Sequence, residues 1–107
     1  MELKRYQQRV LSDVQTYLDA LAAERKGRNP DYASDGAWHK IQEDLGLTLR
    51  YRRLTTGAGA DMPNFCLKVP TGGGKTLLAT QILGQVYKTL LTARNGAGLV
   101  LWVVPSR

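Results

Sequence analysis

The chain has 107 residues, 15 Lys and Arg against 9 Asp and Glu, and a formal net charge of +6. That length gives one small domain and excludes a complete P-loop ATPase, whose many-stranded parallel sheet with helices on both faces needs more chain. The single cysteine, Cys66, excludes an internal disulfide framework and a cysteine zinc site.

Charge is unevenly placed. Every acidic residue lies within residues 1–61, whereas residues 62–107 carry basic residues alone. Such a balance suits a polyanionic partner, nucleotide or nucleic acid, but a solvated surface accounts for it equally. Charged residues interrupt any apolar run at the N-terminus, so no signal-peptide pattern is present. No apolar stretch approaches the ~18–20 residues of a membrane span. The expectation is a soluble cytoplasmic protein.

In chain order, residues 2–26 read as an amphipathic helix. Leu3, Tyr6, Val10, Val14, Tyr17 with Leu18, and Leu21 recur at three- and four-residue steps, with Lys4, Arg5, Arg9, Asp13 and Asp19 between them. Gly27 is the expected stop, and Asn29-Pro30 prevents continuation. Residues 30–64 form an irregular or partly helical connection. Asp31 to Gly36 looks like loop. Trp38 to Leu45 suits a short helix ending at Gly46, with Trp38, Ile41 and Leu45 on one face. Leu47 to Leu54 alternates in part and carries Arg50, Arg52 and Arg53; strand and helix both remain open for it. The arginines read as a solvated face before a nucleic-acid contact, and His39, without a companion, as a surface histidine. Thr55 to Asn64 reads as turn or flexible connection.

Phe65 to Val69 then reads as the first core strand, with Cys66 a buried structural thiol in it. An amphipathic pattern from about Lys75 to Thr92 follows, with Leu78, Ile82, Val86 and Leu90 on its apolar face and Asn95-Gly96 as its stop. Leu99 to Val104 is a continuous apolar run, as in a strand buried on both faces of a parallel sheet. Strand, helix and strand would make one right-handed crossover.

Between the first strand and its helix lies Pro70-Thr71-Gly72-Gly73-Gly74-Lys75-Thr76. Strand, glycine run, Gly-Lys-Thr and helix in that order is the context of a phosphate-binding loop. Glycines let the backbone curl and aim consecutive N–H groups at an anion, and the helix start adds its own. Lys75 would reach the terminal phosphates as the catalytic cation, and the Thr76 hydroxyl would ligate a phosphate-bound magnesium ion. The general pattern has a glycine where this chain has Val69. A flexible turn before a lysine-headed helix is the plain alternative.

Pro-Thr-Gly-Gly-Gly-Lys-Thr after an apolar residue resembles motif I of superfamily 2 helicases and translocases. Leu3-Lys4-Arg5-Tyr6-Gln7 is similar to the Leu-x-x-Tyr-Gln opening found upstream of motif I in many of them, and Trp102-Val103-Val104-Pro105-Ser106 is similar to motif Ia. Together these stretches resemble the start of the DEAD/DEAH-box helicase family, especially the restriction subunits of type III restriction enzymes. The resemblance implies an α/β fold, the beginning of a RecA-like P-loop domain over residues 65–107. It implies ATP and Mg2+ as cofactors, with Gln7 on adenine and residues 70–76 on the phosphates. Pro105, Ser106 and Arg107 would approach nucleic acid, double-stranded DNA in this branch. A modification (methyltransferase) subunit is the implied protein partner.

Hydrolysis also needs a Walker B acid, and no Asp or Glu follows Asp61. The 107 residues are therefore expected to bind ATP without turning it over, as the N-terminal portion of a motor. A stand-alone, non-hydrolysing nucleotide- or nucleic-acid-binding module is the alternative. A small P-loop kinase is disfavoured, since it too needs downstream acidic and lid residues.

Overall fold

The computed structural model describes residues 4–67, 74–91 and 101. Their principal elements are three helices and one short hairpin: α1 (Arg5–Arg25), α2 (Ala33–Leu45), β1 (Leu54–Thr55), β2 (Asp61–Met62) and α3 (Lys75–Leu90). A turn of 3-10 helix, Pro30–Tyr32, leads into α2. The expected segment Leu99 to Val104 (Leu101 apart), the stop at Asn95-Gly96, and Lys68 with Val69 lie outside the described residues.

Helix α1 is central because its apolar positions serve both other helices. Val14, Tyr17, Leu18 and Leu21 are buried, and Ala33, Ala37 and Ile41 of α2 meet them at four-residue steps. Ile82, Val86 and Leu90 of α3 pack against the same cluster. Burying a large aliphatic side chain contributes about 1.5–3 kcal/mol, so this cluster is the main source of stability. The small residues of α2 let the two backbones approach. Gly36 faces the Glu24 carboxylate, where a β-carbon would come within 3.2 Å of Oε2.

Helix α2 begins earlier than its sequence suggests. Ala33, Ser34, Asp35 and Gly36, expected as loop, form its first turn. The reason lies elsewhere in the chain. Tyr32 at the N-cap supplies no side-chain acceptor, and Asp61 on β2 takes that role instead. Its carboxylate accepts hydrogen bonds from the Ser34 backbone N–H at 2.9 Å and from the Ser34 hydroxyl at 2.7 Å. Arg53 Nε stands 3.5 Å from the same carboxylate. At the other end Gly46, the expected stop, adopts φ 66°, ψ 33°, a left-handed cap.

An aromatic chain ties the irregular segments to the helices. The ring of Tyr17 meets Phe65 edge-on at 5.6 Å and Trp38 at 6.3 Å, and Trp38 meets Tyr51 at 5.6 Å. The Tyr17 hydroxyl donates to the Ser34 carbonyl. Burial lifts its pKa well above the ordinary phenol range, with the nearby Tyr51 and Asp61 adding to the effect.

Two expectations differ in the described residues. Phe65, Cys66 and Leu67 belong to no strand; the sheet pairing described is the hairpin of Leu54↔Met62 and Thr55↔Asp61. Cys66 is accordingly exposed instead of being buried in a sheet. Residues 47–53, left open between strand and helix, are neither; pairing starts at Leu54. His39 is exposed and keeps its Nδ1 2.9 Å from the Asp35 carbonyl, within its own helix. Among the described residues no helix is long and apolar enough to cross a membrane.

Candidate nucleotide site

Residues distant in sequence meet at the start of α1 and the start of α3. Lys4 is the extended N-cap of α1, with φ −68° and ψ 157°. Its side chain has no acceptor, so the helix start is held from the other side: Lys4 N–H donates to Gln7 Oε1 at 2.8 Å. This is the reach-back half of a capping box, made by the residue in the third helical position. Gln7 is 4% exposed. Its amide nitrogen lies against Gly74, and a β-carbon built on residue 74 would fall 2.6 Å from Gln7 Nε2.

Gly74 is the N-cap of α3 and holds φ 74°, ψ 45°, in the left-handed region. Glycine is therefore required twice over here, by its torsion and by the approach of Gln7. The first helical bond runs from Leu78 N–H to the Gly74 carbonyl at 2.9 Å. The preceding N–H groups of α3 have no intrahelical acceptor and project from the helix start.

The two helices run in the same direction. Gln85 Nε2 donates to the Leu11 carbonyl at 2.8 Å, and one turn on, Gln15 Nε2 donates to the Thr89 hydroxyl at 3.0 Å. Their positive dipole ends therefore lie at the same end of the pair. Neither first turn carries an acidic residue. Lys75 and Thr76 are both exposed at the opening of α3. Aligned dipoles, N–H groups without an intrahelical acceptor and a lysine in a helical turn that carries no acidic residue favour an anion at this junction.

Of the residues expected at the site, the structure thus brings Gln7 to Gly74, and Lys75 and Thr76 follow directly. Pro70, Thr71, Gly72 and Gly73 lie outside the described residues, as do Pro105, Ser106 and Arg107. Among the described residues no group of three or more His, Cys, Asp or Glu could hold a metal ion. A magnesium ion would take Thr76 Oγ1 and phosphate oxygens instead, which fits an exposed hydroxyl beside an anion site. The cap that Gln7 makes on Lys4 is not signalled by any motif of the resemblance. The spacing of Lys4 and Gln7 at the start of a periodic run is the only local sign of it.

No family model, curated protein or solved structure matches this chain.

Proposed function

We propose that these residues form the ATP-binding start of a superfamily 2 ATPase acting on double-stranded DNA, of the restriction-subunit kind. The observation that supports it most is the contact of Gln7 with Gly74. It joins the residue read as the adenine contact to the end of the glycine run, where two helix N-termini meet whose first turns carry no acidic residue. In this reading residues 70–76 hold the phosphates, Lys75 neutralises the terminal ones and Thr76 ligates Mg2+. Gln7 pairs with the base through its amide, which carries both an acceptor and donors. Magnesium, when bound, supplies charge neutralisation between the phosphates. A RecA-like parallel sheet would be built from residues 65–69 and 99–104 with strands supplied outside this chain. Pro105, Ser106 and Arg107 would meet the DNA, and a methyltransferase subunit would complete the assembly. The ATP pool it needs makes the cytoplasm its expected place.

Without a Walker B acid these residues should bind ATP and not hydrolyse it. Equilibrium binding and phosphate release measured on the same sample test this. Binding with no release above background is the expected result; release abolished by Lys75→Ala would show a hydrolytic site that this account lacks.

The second reading, a stand-alone non-hydrolysing nucleotide- or nucleic-acid-binding module, has its own support. The three helices close a core around Leu21 and Ala37, both wholly buried, with no parallel strand among the described residues. A cooperative thermal transition of the 107-residue chain, monomeric at all concentrations, would favour this reading. Concentration-dependent association would favour the first, since unpaired apolar strands seek partners.

A further inference from the structure

We propose that Arg50 and Arg52 form a second polyanion contact, a grip on the nucleic-acid backbone separate from the phosphate loop. It rests on the nucleic-acid part of the proposed function and not on its nucleotide part.

The segment that carries them is pinned at alternate residues. The Leu49 carbonyl accepts a hydrogen bond from Trp38 Nε1 at 3.2 Å. Tyr51 packs on Trp38, and its hydroxyl accepts from both the backbone and the side-chain nitrogen of Asn64. Arg53 turns the same way. It donates to the Asp31 carbonyl at 2.7 Å, pairs with Asp61 and lies 4.3 Å over the Tyr32 ring. Tyr51 and Arg53 are half-buried, whereas Arg50 and Arg52 between them are exposed.

The consequence is a fixed backbone that presents two guanidinium groups outward. Alternate residues of any segment lie at most roughly 7 Å apart, close enough for both to engage neighbouring phosphates of one strand. No acidic residue occurs between Asp44 and Asp61. Among the described residues no carboxylate is within ion-pair distance of either arginine. Arg53 shows the contrast: it pairs with Asp61, the same carboxylate that caps α2. Guanidinium is suited to phosphate because its donors form a planar fork and its charge is not titrated.

The test is binding of a short duplex DNA, followed by fluorescence anisotropy over a salt series, for the 107-residue chain and three variants. Arg50→Gln/Arg52→Gln should weaken binding at least about tenfold and make the slope of log affinity against log salt shallower by roughly 2, the release expected for two phosphate contacts. Arg50→Lys/Arg52→Lys should keep most of the slope, since the charges remain. Arg28→Gln/Lys88→Gln, which removes the same charge from other exposed positions, should keep the wild-type slope. ATP affinity should be the same in all four. An unchanged slope in Arg50→Gln/Arg52→Gln, or an equal loss in the control pair, would overturn the inference while leaving the proposed function standing. Displacement of the DNA by polyglutamate of matched charge as readily as by unlabelled duplex would overturn it in favour of an acidic protein partner. A wild-type chain with no DNA affinity would remove both this contact and the DNA part of the proposed function.

Discussion

The side-chain amide of Gln7 occupies the space that a β-carbon on residue 74 would need, at 2.6 Å from its nitrogen. A residue near the chain's start thereby fixes the identity of the one that opens α3. The packing of α1 on α3 and the geometry of the candidate phosphate site are one arrangement.

Gly74→Ala should therefore be costly in two separable ways. The left-handed torsion alone costs an alanine about 1–2 kcal/mol, and the clash with Gln7 adds to it. In Gln7→Ala/Gly74→Ala the clash is relieved and the torsional cost stays. Denaturant titrations of the two single variants and the double should show a double-variant loss smaller than the sum. Strict additivity would mean that the two residues do not touch in solution.

Gln7→Ala by itself should weaken ATP more than inorganic triphosphate, because only ATP carries the base. The expected split is about tenfold for ATP, or about 1.4 kcal/mol, with a lesser loss for triphosphate arising from the loosened cap on Lys4. Equal losses in calorimetric titrations would leave Gln7 a structural cap without a role at adenine.

Asp61→Ala should be among the most destabilising substitutions outside the apolar core. It strands the Ser34 N–H and hydroxyl at the start of α2 and leaves Arg53 without its carboxylate. Charged hydrogen bonds of this kind are worth about 1.5–3 kcal/mol, and a fall of that size in unfolding free energy is expected. A loss under about 0.5 kcal/mol, the range of ordinary surface changes, would show that α2 caps itself.

How much was legible follows the range of the forces involved. The periodicity of α1, the run from Lys75 and the left-handed stop at Gly46 are local, and each emerges where the sequence puts it. The first turn of α2 was not legible, because its capping acid lies 27 residues away and Ser34-Asp35-Gly36 alone reads as loop. Nor was the state of Phe65–Leu67, since an apolar alternation becomes a strand only beside another edge. Of the candidate site, the glycine run and Lys75 stand out in the sequence. The burial of Gln7 does not, for it depends on where α3 packs.

Tyr17 gives the pH dependence. Its folded pKa is raised above the unfolded value of about 10. The native state thus keeps a proton that the unfolded chain releases. The stabilisation is fully present below about pH 10 and declines as pH rises above it. Tyr17→Phe should flatten this alkaline decline, at a cost near neutrality of about 1 kcal/mol for the hydrogen bond to Ser34. Thermal midpoints across that range check it; the same decline in both proteins would assign the effect to other groups.

The most direct test of the central claim is an ATP titration of the chain beside its Lys75→Ala variant, with Mg2+ present and the fold of each followed by circular dichroism. Lys75 is exposed at the start of α3, so its removal should leave the helices intact. Saturable ATP binding by the wild type and at least about a tenfold weaker affinity in the variant, about 1.4 kcal/mol, is the predicted result. Equal binding by two equally folded proteins would contradict a phosphate site at the junction of α1 and α3.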